Sequence, residues 1–385
     1  SDYGIIVTAS HNPGIWNGIK IKDSNGKSIS EIEANLIEKE IQNIKSNKNI
    51  DEYIDLEKAE QKGLITKIFP LKNYIKDLIK LVDVEKIKSS KIKIISDCMH
   101  GTSSGILPKI LGSENLLIKE INNEGNPLFP GIKQPEPIES NLLDLSNSVK
   151  DQKADIGLAF DADSDRLGVI DENGKYIDTP YLFCMIADHV TAQKYKGPIV
   201  STITMSSMVD KLASFHEVKS LRTKIGFKYV APLMEKSSSF IGGEESGGFA
   251  YSNHLIERDG IMSALLLLES LSYSKEKPSD LLKDLNKKLG NHFYKRIDIP
   301  IEKKNNINNI NQFLKDPKIS TFLGKKITKL DKTDGLKINL ENGDWIALRL
   351  SGTEPLIRFY SESSNQKQLD SMLNEILKKL GISIS

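Results

Sequence analysis

The chain is 385 residues long, 38% hydrophobic and 27% charged, and close to neutral, with 53 Lys and Arg against 52 Asp and Glu. That length calls for two or three domains with sizeable cores, and the balanced charge argues against a surface dominated by polyanion binding, so no nucleic-acid partner is expected. No apolar run approaches the roughly 20 residues that span a bilayer, so no membrane association is expected either. Cys98 and Cys184 lie far apart and match no metal-ligand spacing, which makes a reducing compartment, and hence a cytoplasmic location, the expectation.

Residues 4–7 (GIIV) read as a short buried strand that hands over to TASHNP, residues 8–13. A helix follows the polar turn at 23–26. Ser28 or Ser30 can cap it, Glu31 and Glu33 fall in its first turn, and Ile32, Leu36, Ile37, Ile41 and Ile44 form its apolar stripe. The charged, weakly periodic stretch 45–64 reads as linker and surface turns. A second unit opens with a helical pattern over 71–82, then strands at 91–97, 116–121 and 156–159; the last runs into FDADSDR, and 167–171 continues as a strand. A third unit holds a helix over 181–195, a strand at 198–202 and the apolar helix at 261–271. The fourth, from about 292, has strands near 294–301, 336–340, 345–350 and 357–362, an Asn342-Gly343 hairpin turn and a last helix carrying Leu369, Leu373, Ile376, Leu377 and Leu380.

An apolar strand, a small polar loop and a helix recur at 5–12, 92–105 and 199–208. The expected architecture is therefore α/β and multidomain: three similar α/β domains, the first partial, plus a C-terminal α+β domain. The divisions fall at 1–70, 71–180, 181–291 and 292–385.

Four loops carry the chemistry. In TASHNP a strand end presents Ser10 to a cleft, with His11 adjacent and Lys20 able to fold back; a hydroxyl there becomes a nucleophile through a base, a cation or prior phosphorylation. A plain turn in which Ser10 and Asn12 cap local backbone also accounts for the residues. In Asp161-Ala162-Asp163-Ser164-Asp165-Arg166, three alternating carboxylates after a buried strand would repel one another unless a divalent cation neutralises them. All-oxygen ligands favour magnesium or a similar hard ion; the glycine and glutamate of an EF-hand are not where that loop needs them. In the third loop, Gly242 to Gly248, paired carboxylates among four glycines suit the vicinal hydroxyls of a sugar, with a Gly-rich hinge as the plainer reading. In the fourth, Arg349 and Arg358 bracket Ser351, Gly352 and Thr353, a compact site for a terminal phosphate; a hairpin with outward arginines is the alternative.

TASHNP, DADSDR, GEESGG and RLSGTEP, in this order and across nearly the whole chain, resemble the motifs of the α-D-phosphohexomutase family, which includes phosphoglucomutase and phosphomannomutase. The resemblance implies that Ser10 is carried as a phosphoserine. It would donate its phosphoryl group to a hexose monophosphate, giving a hexose 1,6-bisphosphate that reorients and returns the other phosphate. It implies Mg2+ on Asp161, Asp163, Asp165 and a Ser10 phosphate oxygen, with His11 and Arg166 at the reacting centre and Lys20 in proton transfer. By the same resemblance Glu244 and Ser246 contact sugar hydroxyls. Arg349, Ser351, Gly352, Thr353 and Arg358 clamp the non-transferring phosphate, and Lys228 contacts ligand. The implied partners are small-molecule hexose phosphates, with the chain a monomer or homodimer.

The family has a substantial segment before its serine loop, so with nine residues ahead of Ser10 the first domain is expected to be incomplete. Several members have a histidine where this chain has Gly248, and His254 is a candidate substitute. The GGEESGG…ERDG context looks more like the phosphoglucomutase and phosphomannomutase branch than the phosphoglucosamine mutase branch. A sugar-phosphate phosphatase and a non-catalytic sugar-phosphate-binding remnant are the competing readings.

Overall fold

The computed structural model describes residues 2–46, 54–112, 116–193, 195–301, 304–351 and 356–382. Its first strand, Gly4–Val7, is followed not by a helix but by an antiparallel return strand, Ile19–Lys22, with Ile5 opposite Ile21 and Val7 opposite Ile19. The recurrence expected at 5–12 is thus a hairpin. Pro13 denies a helix its interior amide, and the Thr8 N–H donates to the Gly18 carbonyl at 3.0 Å across the ends of the loop.

The helix Glu31–Ser46 starts as expected. The Ser30 hydroxyl accepts the Glu33 N–H at 3.2 Å, and the Glu33 carboxylate accepts the Ser30 N–H at 2.9 Å, a reciprocal capping box. Its apolar stripe behaves differently. Ile32, Leu36, Ile41 and Ile44 are exposed, as are Ile5, Val7 and Ile19. Among the described residues no hydrophobic side chain before Ala59 is buried. Polar contacts hold this unit to the rest: Lys22 to Glu257 at 2.9 Å, the Ser28 N–H to Glu257 at 2.7 Å, and Lys228 to Glu31 at 3.4 Å. Within 45–64, read as linker, the structure has a helix, Leu56–Gln61, capped by the Asp55 carboxylate; residues 47–53 lie outside the described residues.

The second sheet runs Ile118–Ile121, Ile94–Asp97, Ile156–Phe160, Leu167–Asp171, Tyr176–Ile177, the first three parallel and the last two antiparallel. The third runs Phe249–Tyr251, Ile241–Gly243, Ile199–Thr202, Ser220–Thr223. The helices Thr179–Gln193 and Gly260–Ser274 pack between them, and one continuous apolar core embraces both sheets. Gly260–Ser274 is buried on all sides from Gly260 to Ser272 and mostly apolar, its one buried acid, Glu269, meeting His189 at 2.8 Å.

The C-terminal sheet is six-stranded, antiparallel and distinct, in the order Phe293–Pro300, Leu356–Ser363, Trp345–Leu350, Leu336–Leu340, Lys325–Asp331, Thr321–Phe322. The helices Lys304–Lys315 and Gln366–Leu380 cover it, and its core is separate. Its contact with the third unit is buried and mixed: Glu362 receives the Ser207 hydroxyl, the Lys337 ammonium donates to the Ile203 carbonyl at 2.9 Å above the Trp345 ring, and Ile225 packs against Trp345 and Tyr360. No helix among the described residues is long and apolar enough to cross a membrane.

Candidate active site

The acidic loop leaves the fully buried strand Ile156–Phe160 and turns at once, the Ser164 N–H donating to the Asp161 carbonyl at 2.9 Å with Ser164 in the left-handed region at φ +60°. A second loop braces it. The Thr102 N–H donates to the Ala162 carbonyl at 2.9 Å, the Thr102 and Ser164 hydroxyls meet at 2.8 Å, and a Cβ on Gly101 would lie 2.5 Å from the Ala162 oxygen. This curl points Asp161, Asp163 and Asp165 inward, so that one ligand atom from each lies within 4.8 Å of the others.

Burial, reinforced by Asp165 and Asp163, pushes the Asp161 carboxyl well above the usual range. Burial opposes ionisation of Asp165 too, but Arg258, Arg166 and Lys20 override it and hold that carboxyl well below the usual range. Asp161 Oδ2 and Asp165 Oδ1 are buried without a hydrogen-bond partner. Three convergent carboxylates, two of them with an unsatisfied buried oxygen, fit a hard divalent cation such as magnesium.

The hairpin loop places Ser10 against this cluster. Its Oγ donates to Asp163 Oδ1 at 3.2 Å, the Thr8 hydroxyl reaches Asp163 Oδ2 at 3.2 Å, and Lys20 Nζ lies 2.7 Å from Asp163 and 3.4 Å from Asp165. Ser10 is left-handed at φ +53°, its N–H donating to the Thr8 hydroxyl at 2.8 Å. His11 does share the site despite being adjacent in sequence: its Nδ1 is 3.4 Å from Ser10 Oγ. Burial, followed by the nearby Arg166, pushes the His11 pKa down to about 3, so its imidazole is neutral at physiological pH. Arg166 lies over the triad, its Nε 3.8 Å from both Asp161 and Asp165 and its Nη1 donating to Glu136 at 2.9 Å.

The third loop is a short connection between Ile241–Gly243 and Phe249–Tyr251. Gly247, at φ +94°, lets its carbonyl accept the Leu167 N–H at 3.1 Å, next to the acidic loop. The Glu244 carboxylate is buried and accepts the Gly226 N–H at 2.8 Å; burial raises its pKa although Arg258 opposes this. Glu245 accepts the Thr202 and Thr204 hydroxyls at 3.0 and 2.8 Å. Glu245 and Ser246 line a cavity of about 510 Å³ with Glu136, Tyr294, Arg296 and Asp298, a volume in the range of small-molecule sites.

On the C-terminal sheet Arg349 and Arg358 stand directly opposite each other on neighbouring antiparallel strands. Like charges so placed repel. Asp334 meets Arg349 at 2.9 Å and Asp298 meets Arg358 at 3.3 Å. The Ser351 N–H closes the strand ends on Leu356 at 2.9 Å; Gly352 and Thr353 lie outside the described residues. Asp334 also accepts the Ile225 N–H at 3.0 Å. Two successive amides, of Ile225 and Gly226, thus join the arginine pair to Glu244.

Lys228 and His254 stand apart from this cluster. Lys228 pairs with Glu31 at 3.4 Å. His254 Nε2 donates to Asp259 at 3.0 Å, where Asp259 caps the helix Gly260–Ser274 and also receives the Tyr74 hydroxyl. Sequence reading missed Arg258, Glu136, Asp298 and Asp334. The ERDG string was in view, but nothing in its spacing tells which carboxylates its arginine will meet.

Profiles of the phosphoglucomutase/phosphomannomutase family match in order: alpha/beta/alpha domain I over residues 1–48, domain II over 72–174, domain III over 178–289 and the C-terminal domain over 297–379. A phosphoglucomutase/phosphomannomutase of Thermococcus kodakarensis is 33% identical over 99% of this chain and 79% of its own length. A phosphoglucosamine mutase of Methanocaldococcus jannaschii is 29% identical over 98% of this chain and 80% of its own. Among solved structures, a Thermus thermophilus protein provisionally named a phosphomannomutase superposes with a TM-score of 0.80 at 26% identity, over 99% of this chain and 78% of that one. Relatives of both the glucose/mannose and the glucosamine names are therefore close. Four family domains matched in sequence order, and one-third identity to a relative along nearly the whole chain, place this protein in the phosphoglucomutase/phosphomannomutase family of α-D-phosphohexomutases, which are isomerases.

Proposed function

We propose that the chain is a magnesium-dependent phosphohexose mutase. It would interconvert the 1-phosphate and 6-phosphate of glucose, and of mannose, through phospho-Ser10 and a hexose 1,6-bisphosphate. The observation that carries this reading is Ser10 Oγ, 3.2 Å from Asp163 Oδ1, beside three carboxylates whose ligand atoms lie within 4.8 Å. Magnesium on Asp161, Asp163, Asp165 and a phosphoserine oxygen would neutralise the charge of the phosphoryl group in flight.

The chain's own residues do the rest. Arg166 adds positive charge beside the transferring group. Lys20 handles the proton of the attacking sugar hydroxyl, and neutral His11, within reach of Ser10 Oγ, orients it by a hydrogen bond. Glu244 and Ser246 hold the sugar hydroxyls. Arg349, Ser351, Gly352, Thr353 and Arg358 hold the phosphate that stays. The first transfer would form a P–O bond to the sugar as the P–Oγ bond breaks, and the return transfer would form a P–Oγ bond as the sugar's other P–O bond breaks.

Intact mass before and after incubation with glucose 1,6-bisphosphate and magnesium tests the reading. One added phosphate on the wild type, absent from Ser10→Ala, is expected; no uptake by the wild type would overturn it. A second substrate class has support in the glucosamine-named relative. Comparing kcat/KM for the 1-phosphates of glucose, mannose and glucosamine decides between them, and the largest value is expected for glucose.

A further inference from the structure

Arg258 is a partly buried side chain that touches both the acidic loop and the third loop. Its Nη2 lies 2.7 Å from Asp165 and its Nη1 3.7 Å from Glu244. Its guanidinium carbon sits 5.8 Å from the centre of the Phe227 ring. The two amino groups of one rigid fork thus reach carboxylates from two different sheets, and the aromatic face limits tilt of the fork.

The neighbouring backbone holds the arginine in register. Asp259 caps the following helix by accepting the Met262 N–H at 2.8 Å, and its own N–H donates to Phe249 at 3.0 Å. The Gly260 N–H donates to the Ser164 carbonyl at 3.0 Å, and a Cβ on Gly260 would stand 2.5 Å from the Arg166 oxygen. Gly248 clears the path of the side chain, since a Cβ there would fall 2.2 Å from Arg258 Cδ.

We propose that Arg258, seated on Gly248, is a positioning residue that fixes the separation of Asp165 and Glu244, and so sets the sugar in register with the phosphoryl group at Ser10. This rests on the mutase reading above. Arg258 acts through the two carboxylates it holds. A lysine at 258 can still meet Asp165 but offers one ammonium where the arginine offers a fork, so it cannot hold both. An added methyl at 248 displaces the whole fork.

The test is calorimetric titration of the wild type, Arg258→Lys and Gly248→Ala with Mn2+ alone and with glucose 6-phosphate, alongside thermal melts. Loss of a charge-assisted contact weakens a ligand about tenfold or more. Arg258→Lys is expected to bind Mn2+ within about threefold of wild type while glucose 6-phosphate weakens about tenfold. Gly248→Ala is expected to weaken both. A merely structural role would move both ligands together with the melting temperature in Arg258→Lys, and that result overturns the proposal, as does wild-type binding of both ligands by Gly248→Ala. Should Arg258→Lys fail to fold, Arg258→Gln takes its place with the same expected split between Mn2+ and glucose 6-phosphate. A wild type that binds neither ligand takes the mutase reading down and this proposal with it; a wild type that binds both, with unchanged variants, overturns only the role of Arg258.

Discussion

Replacing Lys337 with methionine probes how the C-terminal unit docks. The Lys337 ammonium is buried, donates to the Ile203 carbonyl at 2.9 Å and lies 3.6 Å from the centre of the Trp345 ring. Burial, and then the like charge of Arg222, brings its pKa down from the ordinary 10.5 to about 7. The folded state therefore binds fewer protons than the unfolded chain between pH 7 and 10.5, so this group makes stability rise with pH across that window and contributes little slope below it. At about 1.4 kcal/mol per pH unit the full span is worth about 5 kcal/mol, of which about 2 kcal/mol falls between pH 7 and pH 9. Urea unfolding read by Trp345 fluorescence checks this. The protein has two tryptophans, and Trp16→Phe removes the exposed one from the signal. The stability difference, wild type minus Lys337→Met, is expected to climb by about 2 kcal/mol from pH 7 to pH 9 and by less than about 0.5 kcal/mol from pH 6 to pH 7. A difference flat from pH 7 to pH 9 would show that the ammonium is not desolvated in the folded state, and the reasoning fails.

Other expectations follow from the site. Arg349→Ala or Arg358→Ala should weaken glucose 6-phosphate about 10- to 100-fold, at about 1.5–3 kcal/mol per charged hydrogen bond, and leave Mn2+ affinity within about twofold; equal losses for both ligands would place the pair elsewhere in the mechanism. Gly101→Ala drives a methyl into the Ala162 backbone. It should therefore cost Mn2+ affinity about tenfold or more by moving the acidic loop, with the phosphate clamp untouched; unchanged Mn2+ titration would show that the loop does not depend on that brace.

Much of the site was legible because its loops follow strong local signals. The buried run before Asp161 fixes a strand end, and alternation with small residues leaves three acids free to converge. The Asn342-Gly343 turn likewise joins the strands expected on either side, with the Gly343 N–H donating to the Leu340 carbonyl at 3.0 Å. What escaped is tertiary or short. Ile241–Gly243 and Phe249–Tyr251 are three residues each, too brief to show a period. Lys325–Asp331 is largely polar and near the sheet edge, where lysines guard against stray pairing and mask the strand signal. The stripe on Glu31–Ser46 has helical spacing, yet spacing says nothing of whether a partner covers it. Arg258 and Asp334 gain meaning only from carboxylates and amides far away in sequence.

The shared core of the second and third units has a mechanical consequence. The acidic loop and the Glu244 loop are joined by the Leu167–Gly247 bond and by Gly260 against Ser164 and Arg166, all resting on one continuous apolar body. Close-packed interiors do not stretch. The wall of the cleft that carries both loops is thus one close-packed body, whereas the C-terminal sheet has a core of its own and meets that body through a narrower seam of Glu362, Lys337 and Ile225. A bisphosphate that must offer first one end and then the other to Ser10 would have to turn over against a fixed surface. In such a turn the spacing of the acidic cluster and Glu244, held on that one body, would stay constant.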